Sequence, residues 1–116
     1  MTTRQLLRLE GAAVFAVATA AFFAFDGAWW VFVLLALAPD LGMVGYFVNA
    51  RVGSWTYNAT HVYAAPLALG VLGVTIDSRL TALVAAVWTA HIGADRALGY
   101  GLKEPTGFRD THLGSL

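Results

Sequence analysis

Four mostly apolar stretches, each near the ~20 residues that cross a hydrocarbon layer, leave this chain few ways to fold. The first covers residues 6–25 and is broken by Asp26-Gly27. The second, 29–48, carries Pro39-Asp40 near its middle. The third, 55–75, holds Asn58, His61 and Pro66, and the fourth, 80–98, follows the polar turn Ile76-Asp77-Ser78-Arg79. The sequence therefore predicts an all-α integral membrane bundle of four transmembrane helices in a single domain, residues 1–116. Composition agrees: 59% of residues are hydrophobic and 12% charged, more apolar surface than a soluble domain of this size can hide. The N-terminal run imitates a secretory signal up to Ala18-Thr19-Ala20, but Glu10 interrupts its approach and the apolar run continues past Ala20.

The basic residues supply an orientation. With four crossings, Arg4, Arg8, Arg51, Arg96, Lys103 and Arg109 fall on one side and Arg79 alone on the other. Positive charge collects on the cytoplasmic side, so both termini are expected in the cytoplasm and the chain in the inner (plasma) membrane. Residues 99–116 are too polar and glycine-rich to cross again and are expected to form a cytoplasmic tail that folds back. A formal net charge of zero and the lack of a basic-aromatic stripe argue against nucleic acid as a partner. The absence of cysteine removes disulfides, thiolate nucleophiles and zinc ribbons. Gly42 with Gly45, and Gly70 with Gly73, lack the four-residue spacing of the common dimer motif, which leaves a homo-oligomer open.

Ionisable groups inside a bilayer are costly, so their positions carry the functional signal. At ~1.5 Å rise per residue, Glu10, Asp40, Asn58, His61, His91 and Asp95 all fall within about 5–12 Å of the cytoplasmic face. Asn58 and His61 are three apart, and His91 and Asp95 four apart, so each pair shares a helix face and two facing helices would present Asn-His to His-Asp. Pro39 lacks an N–H, which loosens the second helix beside Asp40 and frees a backbone carbonyl. Glu10 lies close enough to the interface to be solvated, and Asn58 by itself also reads as interhelical glue.

The run HIGADRALGYGLKEPTGFRDTHLG from His91 to Gly114, together with Pro39-Asp40-Leu41, Gly45-Tyr46 and Tyr57-Asn58 followed by His61, resembles a small bacterial integral-membrane family known as a domain of unknown function, number forty-two sixty. The resemblance implies a compact helical membrane protein and brings no activity with it. Its pattern falls on Asp40, Asn58, His61, His91, Asp95, Arg96, Tyr100, Lys103, Asp110 and His112, and it implies that the tail caps the polar layer.

Three functions compete for these residues. The first is an enzyme on a lipophilic small molecule in which His61, His91 and Asp95 bind a divalent metal (zinc, iron or manganese) for hydrolysis. Asp40, Asp110 and His112 would add ligands or acid-base groups. The second drops the metal: a protonated Asp40 or Asp95 donates to a lipophilic substrate and His61 or His91 returns the proton, as an isomerase, cyclase or epoxide-opening enzyme would need. Phe47, Tyr57, Tyr63 and Trp88 would line its pocket, while Tyr57, Arg96, Tyr100 and Lys103 complete the polar site in either case. The third is a non-catalytic binding or structural module of the membrane.

Overall fold

The computed structural model describes residues 1–115. The fold is all-α, with helices α1 (Thr3–Ala24), α2 (Trp29–Ala36), α3 (Ala50–His61), α4 (Ala64–Thr75) and α5 (Arg79–Leu98), and a 3-10 helix, Ala38–Phe47, between α2 and α3. A tail follows, with a small hairpin of strands β1 (Asp110–Thr111) and β2 (Gly114–Ser115). Two segments are long and apolar enough to cross a membrane, Thr3–Ala24 and Trp29–Phe47. Much of their surface faces outward: Val17, Phe25, Trp29, Leu37, Leu41 and Phe47 are all well exposed.

Local chemistry sets the ends. Thr2 and Gln5 form a capping box at the start of α1, satisfying amide groups that the helix leaves orphaned. Asn49 caps α3 through Val52 N–H, and Ser78 caps α5 through Thr81 N–H. α1 ends at Phe25 and Asp26, whose carbonyls accept from the Arg79 guanidinium at 2.9 and 2.7 Å. α5 ends on Gly99, whose φ of +93° an L side chain would resist.

The two prolines inside the apolar stretches break their helices, with different results. At Pro39, α2 gives way to the tighter 3-10 helix, an unusually long one. Pro66 would press its ring on the carbonyl four residues earlier, at Val62, and there the chain turns extended (φ −99°, ψ 133°). The expected third helix over 55–75 is thus two 12-residue helices, starting earlier at Ala50 and interrupted between His61 and Ala64. Neither half is long enough to cross a bilayer alone.

α5 lies at the centre, packed on α1 and α4, with α2 against its first half. Gly11 and Gly93 allow α1 and α5 to meet backbone to backbone: a Cβ on Gly93 would sit 2.7 Å from both Gly11 O and Phe15 N. The apolar core of Phe22, Leu83 and Val87 joins α1 to α5, with Phe32 of α2 edge-on to Phe22 at 5.3 Å. The 3-10 helix packs on α3, and Gly45 N–H donates to Thr56 Oγ1 at 3.2 Å. These contacts bring Asp40, the end of α3 and the second half of α5 to one place.

Candidate metal centre

His61 closes α3, at the point where Pro66 has forced the helix to stop. The carbonyls of Thr60 and His61 lose their helical donors there, and α5 replaces them. Trp88 Nε1 donates to Thr60 O at 2.6 Å and Arg96 Nη2 to His61 O at 2.9 Å. Asp40 sits just after the other break, and Pro39 O accepts from Thr60 Oγ1 at 2.9 Å, which fastens the 3-10 helix to α3. His91 and Asp95 come from successive turns of α5.

Each imidazole is oriented by its Nδ1. That of His61 lies 2.8 Å from Tyr57 O and 2.9 Å from Thr60 Oγ1, and that of His91 lies 2.5 Å from Ala36 O, beside the Pro39 break. A carbonyl only accepts, so Nδ1 carries a proton in both rings, and in the neutral imidazoles each Nε2 presents a lone pair. The two Nε2 atoms face each other at 3.2 Å. Asp40 Oδ1 is 3.2 Å from His61 Nε2 and 3.1 Å from His91 Nε2, and Asp95 Oδ2 is 3.4 and 3.3 Å from the same atoms. All four donor atoms lie within 4.8 Å of one another, and this His/Asp group could hold a metal ion. The His61 side chain is fully buried, with side-chain exposures of 11% for His91, 18% for Asp95 and 44% for Asp40, so the group opens on the Asp40 side.

The other residues nominated by the sequence take different places. Tyr57 stacks on the His61 ring, centroids 3.7 Å apart and planes within 7°. Asn58 does not face His91 and Asp95; its amide clasps the tail, donating to Lys103 O at 2.8 Å and accepting from Lys103 N–H at 2.7 Å. The Lys103 side chain is buried, with Nζ 5.0 Å from the Tyr57 ring centre and 3.9 Å from that of Phe108. Burial holds its pKa below the ordinary lysine value, against the opposing pull of the Asp95 charge. The tail is therefore docked over the Tyr57–His61 stack.

Asp110 and His112 do not join the His/Asp group. The Asp110 carboxylate accepts from Thr106 Oγ1 at 2.8 Å, and His112 Nδ1 accepts from Leu102 N–H at 2.8 Å. Those bonds shape the tail, because strand pairing and the Lys103 to Thr111 bridge turn both side chains to tail partners. Tyr100 contributes its carbonyl, which accepts from Arg96 Nη1 at 3.3 Å. Phe47 is exposed and Tyr63 lies over the Arg96 guanidinium, 5.7 Å from it, so neither lines the centre. Trp88 supports it through Thr60. Sequence reasoning missed Thr60, Ala36 O and Phe108. Thr60 had a signal in its position next to His61, and Ala36 O only the indirect one that Pro39 frees a carbonyl nearby.

Fold and site together define an all-α protein with strongly apolar helices and a convergent two-histidine, two-aspartate donor set. The chain belongs to the family described as Domain of unknown function (DUF4260), which it matches over residues 4–116. No match was found among curated proteins or solved structures.

Proposed function

We propose that this protein spans the inner membrane four times with both termini in the cytoplasm, and that Asp40, His61, His91 and Asp95 hold a divalent metal, zinc foremost, in a hydrolytic centre acting on a lipophilic substrate. One observation carries the metal. The five donor separations of 3.1–3.4 Å match the edge of ~3.3 Å expected for a tetrahedron with bonds of about 2.0–2.1 Å. Two lone pairs facing each other at 3.2 Å repel unless a cation lies between them. Charge supports the same reading, since two carboxylates and two neutral imidazoles carry a charge that a divalent ion cancels at a depth where net charge is expensive. The Nδ1 bonds to backbone carbonyls are the outer partners that metal-bound histidines usually have.

A bound ion would polarise a substrate oxygen and make a nearby water easier to deprotonate. The chain's own residues divide the remaining work. His61, His91 and Asp95 are the buried, fixed donors. Asp40, the exposed fourth donor, is the one that can yield its corner to water; from the open side it then takes the proton from that water as its oxygen attacks the substrate, and passes it to the leaving group as that bond breaks. The broken third crossing and the docked tail wall off the other sides.

Elemental analysis of protein purified in mild detergent without chelator tests the centre. Near-stoichiometric zinc, iron or manganese that His61→Ala and His91→Ala both remove is the expected result. Metal-free protein, even after those ions are supplied, would sink this reading in favour of acid-base chemistry without metal. Topology is tested separately on the cysteine-free chain. A membrane-impermeant thiol reagent applied to intact spheroplasts should label Asp77→Cys and leave Thr2→Cys and Pro105→Cys unlabelled; the reverse pattern refutes the orientation.

A further inference from the structure

Away from the metal centre, α1, α4 and α5 enclose an apolar groove of about 770 Å³. Small residues make it, among them Ala18, Gly70, Ala85 and Ala86, since none fills the space between the three helices. Toward the tail it meets a second pocket of about 400 Å³, whose walls are mostly apolar but include Glu10, Tyr63, Arg96 and His112. Ala13 and Val14 line both, so groove and pocket form one cleft, apolar along its length and charged at its end.

The polar end is incompletely satisfied. Arg96 is only 6% exposed, yet among the described residues no carboxylate lies within 4.0 Å of its guanidinium. Carbonyls of His61 and Tyr100 occupy one N–H each on Nη2 and Nη1, which leaves further donors. The Tyr63 hydroxyl is buried without a hydrogen-bond partner. Arg8 adds a second cation on this side, its Nε bonded to Ala97 O at 2.9 Å. Glu10, exposed at the rim, is an acceptor. Unused donors and cations beside a lone acceptor suit a head that carries an anion and also a hydroxyl.

We propose that this cleft binds an anionic phospholipid with a hydroxylated head, of the phosphatidylglycerol type. One acyl chain lies in the α1–α4–α5 groove, the phosphate reaches Arg96 and Tyr63, and a head hydroxyl donates to Glu10. Continuity with the apolar groove selects a lipid over free phosphate, and the open side of the groove leaves the second chain in the bilayer. The proposal rests on the membrane placement and is independent of whether the His/Asp centre takes a metal.

Native mass spectrometry of the full chain, released from bilayers with equal phosphatidylcholine, phosphatidylglycerol and phosphatidic acid, tests it. Phosphatidylglycerol should be retained over both others on the wild type. Tyr63→Phe should lower its advantage over phosphatidylcholine by roughly threefold or more, the scale of one lost hydrogen bond. Gly70→Leu should abolish retention of every lipid by filling the groove; a Cβ there meets only Ala85 Cβ, at an ordinary contact distance of 3.5 Å. Thermal melting followed by circular dichroism confirms that each variant is folded. Equal retention of the three lipids, or unchanged retention in folded Gly70→Leu, overturns the proposal. So does a lipid-free dimer that Gly70→Leu dissociates, which would assign the groove to a second copy of the chain. Recovery of the wild type in the soluble fraction would instead refute the membrane placement.

Discussion

The chain carries two closely spaced histidine–aspartate pairs, His91 with Asp95 on α5 and Asp110 with His112 in the tail, and they differ in what holds the imidazole. His91 turns Nδ1 to the carbonyl of Ala36 and so aims Nε2 at His61, Asp40 and Asp95. His112 turns Nδ1 to the N–H of Leu102, which uses up the Nδ1 lone pair within the tail. Asp95 is one of two carboxylates on a shared point, whereas Asp110 is tied to Thr106. Proximity in sequence to a carboxylate thus says little about ligation; the partner of the far ring nitrogen decides it.

Removing one histidine from each pair separates the two most directly. His91→Ala should reduce bound metal from near one ion per chain to background, while His112→Ala keeps it, as elemental analysis would show. Equal loss in both variants would mean that the tail histidine ligates after all. A smaller effect comes from the outer partners: Thr60→Val removes the hydroxyl from His61 Nδ1 and from Pro39 O and should weaken ion binding about tenfold, whereas Thr106→Val beside Asp110 should leave it unchanged. Competition with a metal indicator reads both.

Asn58→Ala tests the claim that the tail is a cover. It leaves Lys103 without its two amide bonds, at a cost of about 1–3 kcal/mol. Hydrogen exchange over residues 99–115 should speed up accordingly while metal content stays at the wild-type level. Loss of metal in that variant would show that tail and centre form one unit.

The smallest expected effect concerns pH. Burial, and secondarily the Arg96 charge, hold the His112 pKa below the ordinary value of about 6.5, against the opposing charge of Glu104. Between the folded and unfolded pKa values the unfolded chain binds more protons, so this contribution is present above pH ~6.5 and is lost as pH falls below it. His112→Gln should flatten the acid side of the stability profile slightly, as thermal melts at pH 5 to 7 would show. An unchanged slope would remove His112 as a contributor.

The helices were readable because apolar length and turn residues act locally. The first two stretches match Thr3–Ala24 and Trp29–Phe47 to within a few residues, and the fourth matches Arg79–Leu98. Pro39 signalled a freed carbonyl, and its neighbourhood supplies one in Ala36 O. The third stretch misled because its hydropathy is continuous across a break that only the steric demand of Pro66 reveals. Asp40, His61, His91 and Asp95 stood out because ionisable groups inside long apolar stretches need partners.

Composition and spacing along the chain were enough to locate most of the helices and the ionisable side chains that their apolar surroundings make costly to leave unpaired. Tertiary structure decided the rest: that Asn58 serves the tail, that Asp110 and His112 turn to tail partners, and that two Nε2 atoms point at each other. Those outcomes depend on how each helix rotates about its axis and on which backbone carbonyl lies near each ring, and both are fixed by contacts between residues as far apart as Ala36 and His91.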